Sequence, residues 1–236
     1  MNFDRTNHLF AEYLESSKTF VIPVGSVEYH GQHLPVTTDT IITNALVNEL
    51  GRQRPDSVVI GPTIPYSVSR GSRNAPGTFS IAEEILAQTL RSLASCLPPS
   101  MTTIAVSAHG DNLGAMIDAG IPFWVPRIHI LVDAATRWEL PATAAGMWSP
   151  DSHAGRTETS MLLAIAPEAV SATPEPPIQA VTPEQATNRF RDSIAIDPGA
   201  EHGSYPGGAN QEEGLAIMAA FSDDLIACFD DLFRSR

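Results

Sequence analysis

Short apolar runs rich in strand formers alternate along this chain with stretches whose apolar residues recur at helical spacing. Residues 19–25, Thr-Phe-Val-Ile-Pro-Val-Gly, read as a buried strand ended by Gly25-Ser26. Over residues 40–53, Ile41, Ile42, Ala45, Leu46 and Leu50 recur as on one helix face, with Gly51 or Arg54-Pro55 closing the segment. Residues 57–61 predict a second strand. Ser80 followed by Glu83 fits a capping box for a helix through Leu97. A third strand is predicted over residues 102–107, a helix after Asp111, and a fourth strand over residues 127–132. A short helix follows over residues 158–165, stopped before Pro167, and a terminal helix over residues 215–233. Strands alternating with helices, and strands apolar on both faces, predict an α/β domain with a mostly parallel sheet covered on both sides. The proline-rich stretch at residues 167–198 reads as a surface excursion or a subunit-contact arm, so residues 1–236 form a single domain.

Composition narrows the partners. The 236 residues are 43% hydrophobic and 17% charged, as in an ordinary globular protein. A net charge of −13 argues against nucleic-acid or anionic-membrane partners, because phosphate surfaces demand Lys and Arg. No apolar run approaches the roughly 20 residues of a membrane span. The first residues lack the basic and apolar blocks of a signal peptide, which gives a cytoplasmic expectation. Cys96 and Cys228 are two distant cysteines that read as small core residues.

Candidate chemistry gathers where strands end. Glu28 and His30 stand two residues apart just after the first strand, so an extended backbone sends both side chains to one face. A carboxylate and an imidazole projecting together make half of a Zn- or Mn-type site. Asp39, just before a helix, either adds a carboxylate to that centre or caps the helix. After the third strand His109 and Asp111 repeat the two-residue spacing across Gly110. Ligands gather at the carboxyl ends of strands in α/β sheets, so two strands bring a His and a carboxylate each to one rim. A third cluster holds His153 and Glu158, whose bland reading is a helix start favoured by the dipole. His33 is either a packed histidine or a ligand. His8, His129 and His202 stand alone and read as structural or surface residues, and Trp124 and Trp138 as core. Trp148, in a loop, could stack on a flat substrate group.

Taken together, these clusters resemble the creatininase (creatinine amidohydrolase) family. The resemblance rests on Gly25-Ser26-x-Glu28-x-His30-Gly31-x-His33-Leu34-Pro35 with Asp39, then Pro76-Gly77-Thr78, then His109-Gly110-x-Asn112. His153-Ala154-Gly155-x-x-Glu158-Thr159-Ser160 and Glu213-Gly214 complete it, so it spans about residues 20 to 214. Any one motif is weak, but five in order are specific.

The resemblance implies a three-layer α/β/α fold, a homo-oligomer that in the family is frequently a hexamer, and two divalent metal ions per chain (Zn, Mn or Fe). It implies that Glu28, His30, Asp39 and His109 bind metal, with Asp39 bridging. In creatininase proper an acidic residue two places after the second His completes the set; Asp111 stands there, a shorter acid, ligating directly or through water. The implied activity is hydrolysis of an amide C–N bond in a small molecule or peptide by a metal-activated water, in a specialised or cofactor-biosynthetic pathway. Family members split creatinine, deformylate a pyrimidine nucleotide intermediate or trim a precursor peptide; a metal-binding scaffold without activity is the rival class. His153 and Glu158 are the expected proton carriers, or else orient the metal ligands. Tyr29, Trp148 and Arg73 are expected to touch substrate; Arg70 and Arg73, in the polar loop before Pro76, either recognise an anionic group or are solvated loop arginines. The chain departs from the family at Tyr29, Gln32 and Ser107-Ala108, where Gln, Pro and Asn-Gly are usual. Those departures bear on the substrate more than on the metals.

Overall fold

A computed structural model describes residues 19–126, 153–171 and 208–234. Strands β1 (Thr19–Pro23), β2 (Val58–Ile60), β3 (Thr102–Val106) and β4 (Phe123–Trp124) form one sheet in the order β2-β1-β3-β4, with every pairing parallel. The connections include α1 (Thr38–Gln53), α2 (Glu83–Ser95) and α3 (Leu113–Ala119); α4 (Arg156–Ile165) and α5 (Gln211–Arg234) follow the sheet.

Alternation along each strand makes two cores. Val21, Val58, Ile104, Val106 and Trp124 point to one face and pack on Ile42, Leu46 and Leu50 of α1, Leu162 of α4 and Phe221 and Leu225 of α5. Phe20, Ile22, Val59 and Ala105 point to the other, against Leu86 and Leu90 of α2 and Met116 of α3. Two covered faces make the three-layer α/β/α sandwich that the continuous apolar strands predict.

Several local expectations need correction. Helix α1 begins two residues earlier than its apolar periodicity suggests, so Asp39 lies in its first turn; the cap position is Thr37, with no side-chain cap bond. The capping box at Ser80 does not form. Ala82 occupies the cap position of α2, Ser80 Oγ accepts the Ser69 N–H at 2.9 Å, and the Glu83 carboxylate pairs instead with Arg70. Cys96 is exposed, because it falls just past the end of α2 rather than on its buried face; Cys228 is partly buried against the first core. The fourth strand lies at Phe123–Trp124. The strand expected over residues 127–132 and the excursion beyond Ser171 lie outside the described residues, as do His8, His129, His202, Trp138 and Trp148. Trp124 is core, its indole N–H donating to Asp224 at 3.0 Å. Among the described residues no helix is long and apolar enough to cross a membrane.

Close packing joins α4 to α5. A Cβ on Gly214 would lie 1.7 Å from the Ser160 carbonyl oxygen, so only glycine lets the helices approach this closely. Ser160 Oγ and Arg156 Nε also donate to Glu213 at 2.9 and 2.8 Å. Gly214→Ala must push the helices apart, and about 2 kcal/mol or more of stability should be lost. Urea unfolding of the variant beside the parent checks this, and an unchanged midpoint contradicts the contact.

Candidate metal centre

Four chain segments meet at the carboxyl ends of β1 and β3. Beyond β1, Val24 N–H continues the ladder to Val106 O at 2.8 Å. At Gly25 the chain passes so close to α1 that a Cβ would sit 2.1 Å from Thr40 Oγ1. Thr40 Oγ1 donates to Ser26 O at 2.8 Å, tying the start of α1 to the end of β1. The first turn of α1 therefore lies over the strand end, and Ser26 Oγ donates to Asp39 Oδ2 at 2.5 Å. The loop that follows is closed by Glu28 N–H on Val36 O at 2.9 Å and turns at Gly31, where φ is +73°. Beyond β3, Ala108 N–H is held by Thr43 Oγ1 at 2.9 Å, which sets His109 beside α1. The fourth segment leads into α4. Ala154 holds φ at +52°, a conformation uncommon for alanine, and its N–H donates to Glu158 Oε2 at 2.6 Å.

Glu28, Asp39 and Glu158 are all buried there, and among the described residues no Lys or Arg pairs with them. Each facing histidine has one ring nitrogen on a backbone carbonyl: His30 Nδ1 on Glu28 O at 3.0 Å, His109 Nε2 on Val68 O at 2.6 Å, His153 Nε2 on Tyr29 O at 2.8 Å. A carbonyl can only accept, so that nitrogen carries the hydrogen and the neutral ring offers a lone pair on the other side. Those second nitrogens face carboxylate oxygens. His109 Nδ1 is 3.2 Å from Glu28 Oε1 and 3.0 Å from Asp39 Oδ2; His153 Nδ1 is 3.4 Å from Glu28 Oε1. His30 Nε2 lies 3.5 Å from Asp39 Oδ2 and 3.6 Å from Glu158 Oε2, and it is buried with no hydrogen-bond partner.

Acceptors facing acceptors in a buried site need a proton or a cation between them. Burial works against charge on His109, yet Glu28 and Asp39 outweigh it and raise its pKa well above the ordinary value. His30 is raised in the same way by Asp39, Glu158 and Glu28 against its burial. Burial raises the carboxyl of Asp39 as well, but His109 and His30 overcome this and hold it far below the carboxylate range. Glu158 is pushed up to about 8, chiefly by burial. Burial lowers His153. The orphaned His30 nitrogen and the uncompensated acids fit divalent cations. Three donor groups could hold one: Glu28-His30-His153, Glu28-Asp39-His109 and His30-Asp39-Glu158.

Glu28, His30, Asp39 and His109 thus come together, and His153 and Glu158 join the same cluster. Asp111 belongs to none of these groups. Residues Gly110–Asn112 form a 3₁₀ turn, and at three residues per turn positions 109 and 111 do not share a face as they would in a strand. Its Oδ2 accepts the Arg70 and Gly71 N–H groups at 2.6 and 3.3 Å. His33 is a packed residue, its Nε2 2.9 Å from Thr159 Oγ1. Arg73 is exposed, and Arg70 turns to Glu83. Tyr29 meets the centre through its carbonyl, while its N–H donates to Thr78 Oγ1 at 2.9 Å. Trp148 falls outside the described residues. Sequence reasoning missed Ser26 and Ser72, whose hydroxyls hold Asp39 and Glu28 at 2.5 and 2.6 Å; a lone serine carries no signal of that role.

The creatininase family model, described as creatinine amidohydrolase, matches residues 4–229. The chain belongs to the creatininase family. It is accordingly a creatininase-family hydrolase, with buried acid and imidazole groups able to bind metal. It is similar to a mycofactocin precursor peptide peptidase of Mycobacterium tuberculosis, 30% identical over 229 residues, covering 89% of this chain and 84% of the relative. The peptidase of the same name from Mycobacterium ulcerans is 32% identical over 224 residues, covering 89% and 83%. Among solved structures, creatininase matches with TM-score 0.69 at 18% identity, covering 98% of this chain and 96% of that one. A creatininase in an Mn form matches at TM-score 0.69 and 17% identity, covering 98% and 97%. At such identity these neighbours show the fold alone.

A creatininase-family centre with three buried acids should be stabilised by its cation. Zinc or manganese at about 100 times its Kd should add about 2.7 kcal/mol to stability. Thermal unfolding of chelator-stripped protein with and without metal checks this; an unmoved transition contradicts the site.

Proposed function

We propose that this chain is a dinuclear metal-dependent hydrolase that cuts a peptide C–N bond, trimming a precursor peptide. The observation that carries the hydrolase reading is the buried acceptor cluster around His30 Nε2. Two donor groups share Asp39: Glu28 and His109 complete one, His30 and Glu158 the other, and the shared carboxylate suits a bridge. Divalent ions held there would polarise a carbonyl and bring the pKa of water towards neutrality. The peptide reading is supported by relatives of that name at 30–32% identity across 89% of the chain, where the creatininase structures share only 17–18%. Zn, Mn or Fe as the ions, a homo-oligomer and a cytoplasmic location go with this reading.

This chain's own residues then divide the work. His153 is the most exposed of the three imidazoles, at 19% against 0% and 8% for His30 and His109, so it stands closest to an entering substrate. Burial keeps it neutral at rest, with Nε2–H fixed on the Tyr29 carbonyl and Nδ1 turned inward. In that state Nδ1 accepts a proton and passes it to the leaving nitrogen. Glu158, held by the Ala154 N–H, serves the centre as a ligand.

Asp39→Ala should remove nearly all bound metal together with activity, since one carboxylate serves both donor groups. His153→Ala should keep most of the metal and lose turnover. Elemental analysis and a panel of short peptides, cyclic amides and formamides distinguish these. Peptides should be cut and creatinine spared. Cleavage of creatinine alone contradicts the peptide reading, and a metal-loaded protein inert towards every amide contradicts the hydrolase.

A further inference from the structure

Asp111 reaches the metal centre by a route other than ligation. Residues 67–81 form a loop closed at its base. Ser67 and Ser80 make a parallel bridge, Ile81 N–H donates to Ser67 O at 2.9 Å, and Ser69 N–H donates to Ser80 Oγ at 2.9 Å. Every polar side chain of residues 109–112 grips the first limb of this loop. His109 Nε2 donates to Val68 O at 2.6 Å, and Asn112 Oδ1 accepts the Val68 N–H at 3.2 Å. Asp111 Oδ2 accepts the successive N–H groups of Arg70 and Gly71. Consecutive amides converging on one carboxylate oxygen form an anion-binding concavity, and charge-assisted bonds of this kind are about twice as strong as neutral ones.

The next residue is Ser72. It is fully buried, and its Oγ donates to Glu28 Oε2 at 2.6 Å. With Oε2 taken by the hydroxyl, Oε1 is the oxygen turned to His109, His153 and His30, at 3.2, 3.4 and 4.0 Å. The Arg70 side chain leaves the loop for Glu83, so the clamp depends on backbone amides rather than on a cation.

We propose that Asp111 is a positioning residue for Glu28: by clamping the Arg70 and Gly71 amides it sets Ser72 against Oε2 and so fixes Oε1 as the oxygen offered to a metal ion. This rests on the metal reading given under Proposed function. It assigns Asp111 a place behind a ligand, not among the ligands.

The test compares Asp111→Ala, Ser72→Ala and the double variant in two measurements. One is amide exchange at Arg70 and Gly71 in metal-free protein; the other is zinc affinity and stoichiometry by competition with a chromophoric chelator. Asp111→Ala should release both amides to exchange and weaken zinc about tenfold with stoichiometry unchanged. Ser72→Ala should weaken zinc by a similar factor and leave the amides protected. The double variant should bind no more weakly than the weaker single one, because both act through one contact. Loss of a whole ion in Asp111→Ala with wild-type affinity in Ser72→Ala would make Asp111 a ligand and overturn the inference. Losses that multiply in the double variant would overturn it too. Should Asp111→Ala not fold, Ser72→Ala decides alone, a tenfold loss supporting the inference and wild-type affinity overturning it. Wild-type protein that takes up neither zinc nor manganese would overturn the metal reading, and this inference with it.

Discussion

Buried lone pairs facing one another constrain this molecule more than any other feature. Three imidazoles each spend one nitrogen on a backbone carbonyl and turn the other towards buried carboxylates. Those carboxylates have no Lys or Arg beside them among the described residues, and burying uncompensated charge is costly. Without a cation the acids are pulled apart: His109 and His30 drive Asp39 down against its burial, while burial drives Glu158 up. A divalent cation meets the same need without dividing the acids into charged and neutral forms. The backbone carbonyls matter as much as the donors, because they fix each ring's tautomer and aim.

The sheet supplies the place where such an arrangement can be held. Parallel strands end together, so β1 and β3 deliver Glu28, His30 and His109 to one rim. Helix α1 adds Asp39 from its first turn, where the dipole favours a negative charge. That contribution requires α1 to lie against Gly25, and no residue with a Cβ leaves room for Thr40 there. Helix α4 brings Glu158, and Gly214 lets α5 pack closely against α4.

The positions where this chain departs from the usual family pattern are compatible with such a centre. Ser107 stands where asparagine is usual, and its hydroxyl bonds the His109 N–H at 3.1 Å and accepts from Asn112 Nδ2 at 3.1 Å, bracing the turn that carries the histidine. Tyr29 lends the centre a carbonyl that any residue could provide.

Much was legible from the chain alone, since periodicity reports burial directly. Strands apolar on both faces meant a covered parallel sheet, and acids and histidines just past two strand ends meant a shared rim. The motifs of residues 25–39, 109–112 and 153–160 carry the resemblance to the creatininase family without any geometry. Spacing failed where the backbone left the conformation that gives spacing its meaning. Strand spacing pairs Asp111 with His109, but a 3₁₀ turn sends it to the amides of Arg70 and Gly71. The supposed capping box at Ser80 gave way to a loop closure made with Ser69. Residue identity along the chain could determine which groups were able to bind a cation. Only folding could decide which carbonyls fix His109 and His153, 41 and 124 residues away, or that Ser26 and Ser72 hold acids 13 and 44 residues away, because those partners meet only through tertiary packing.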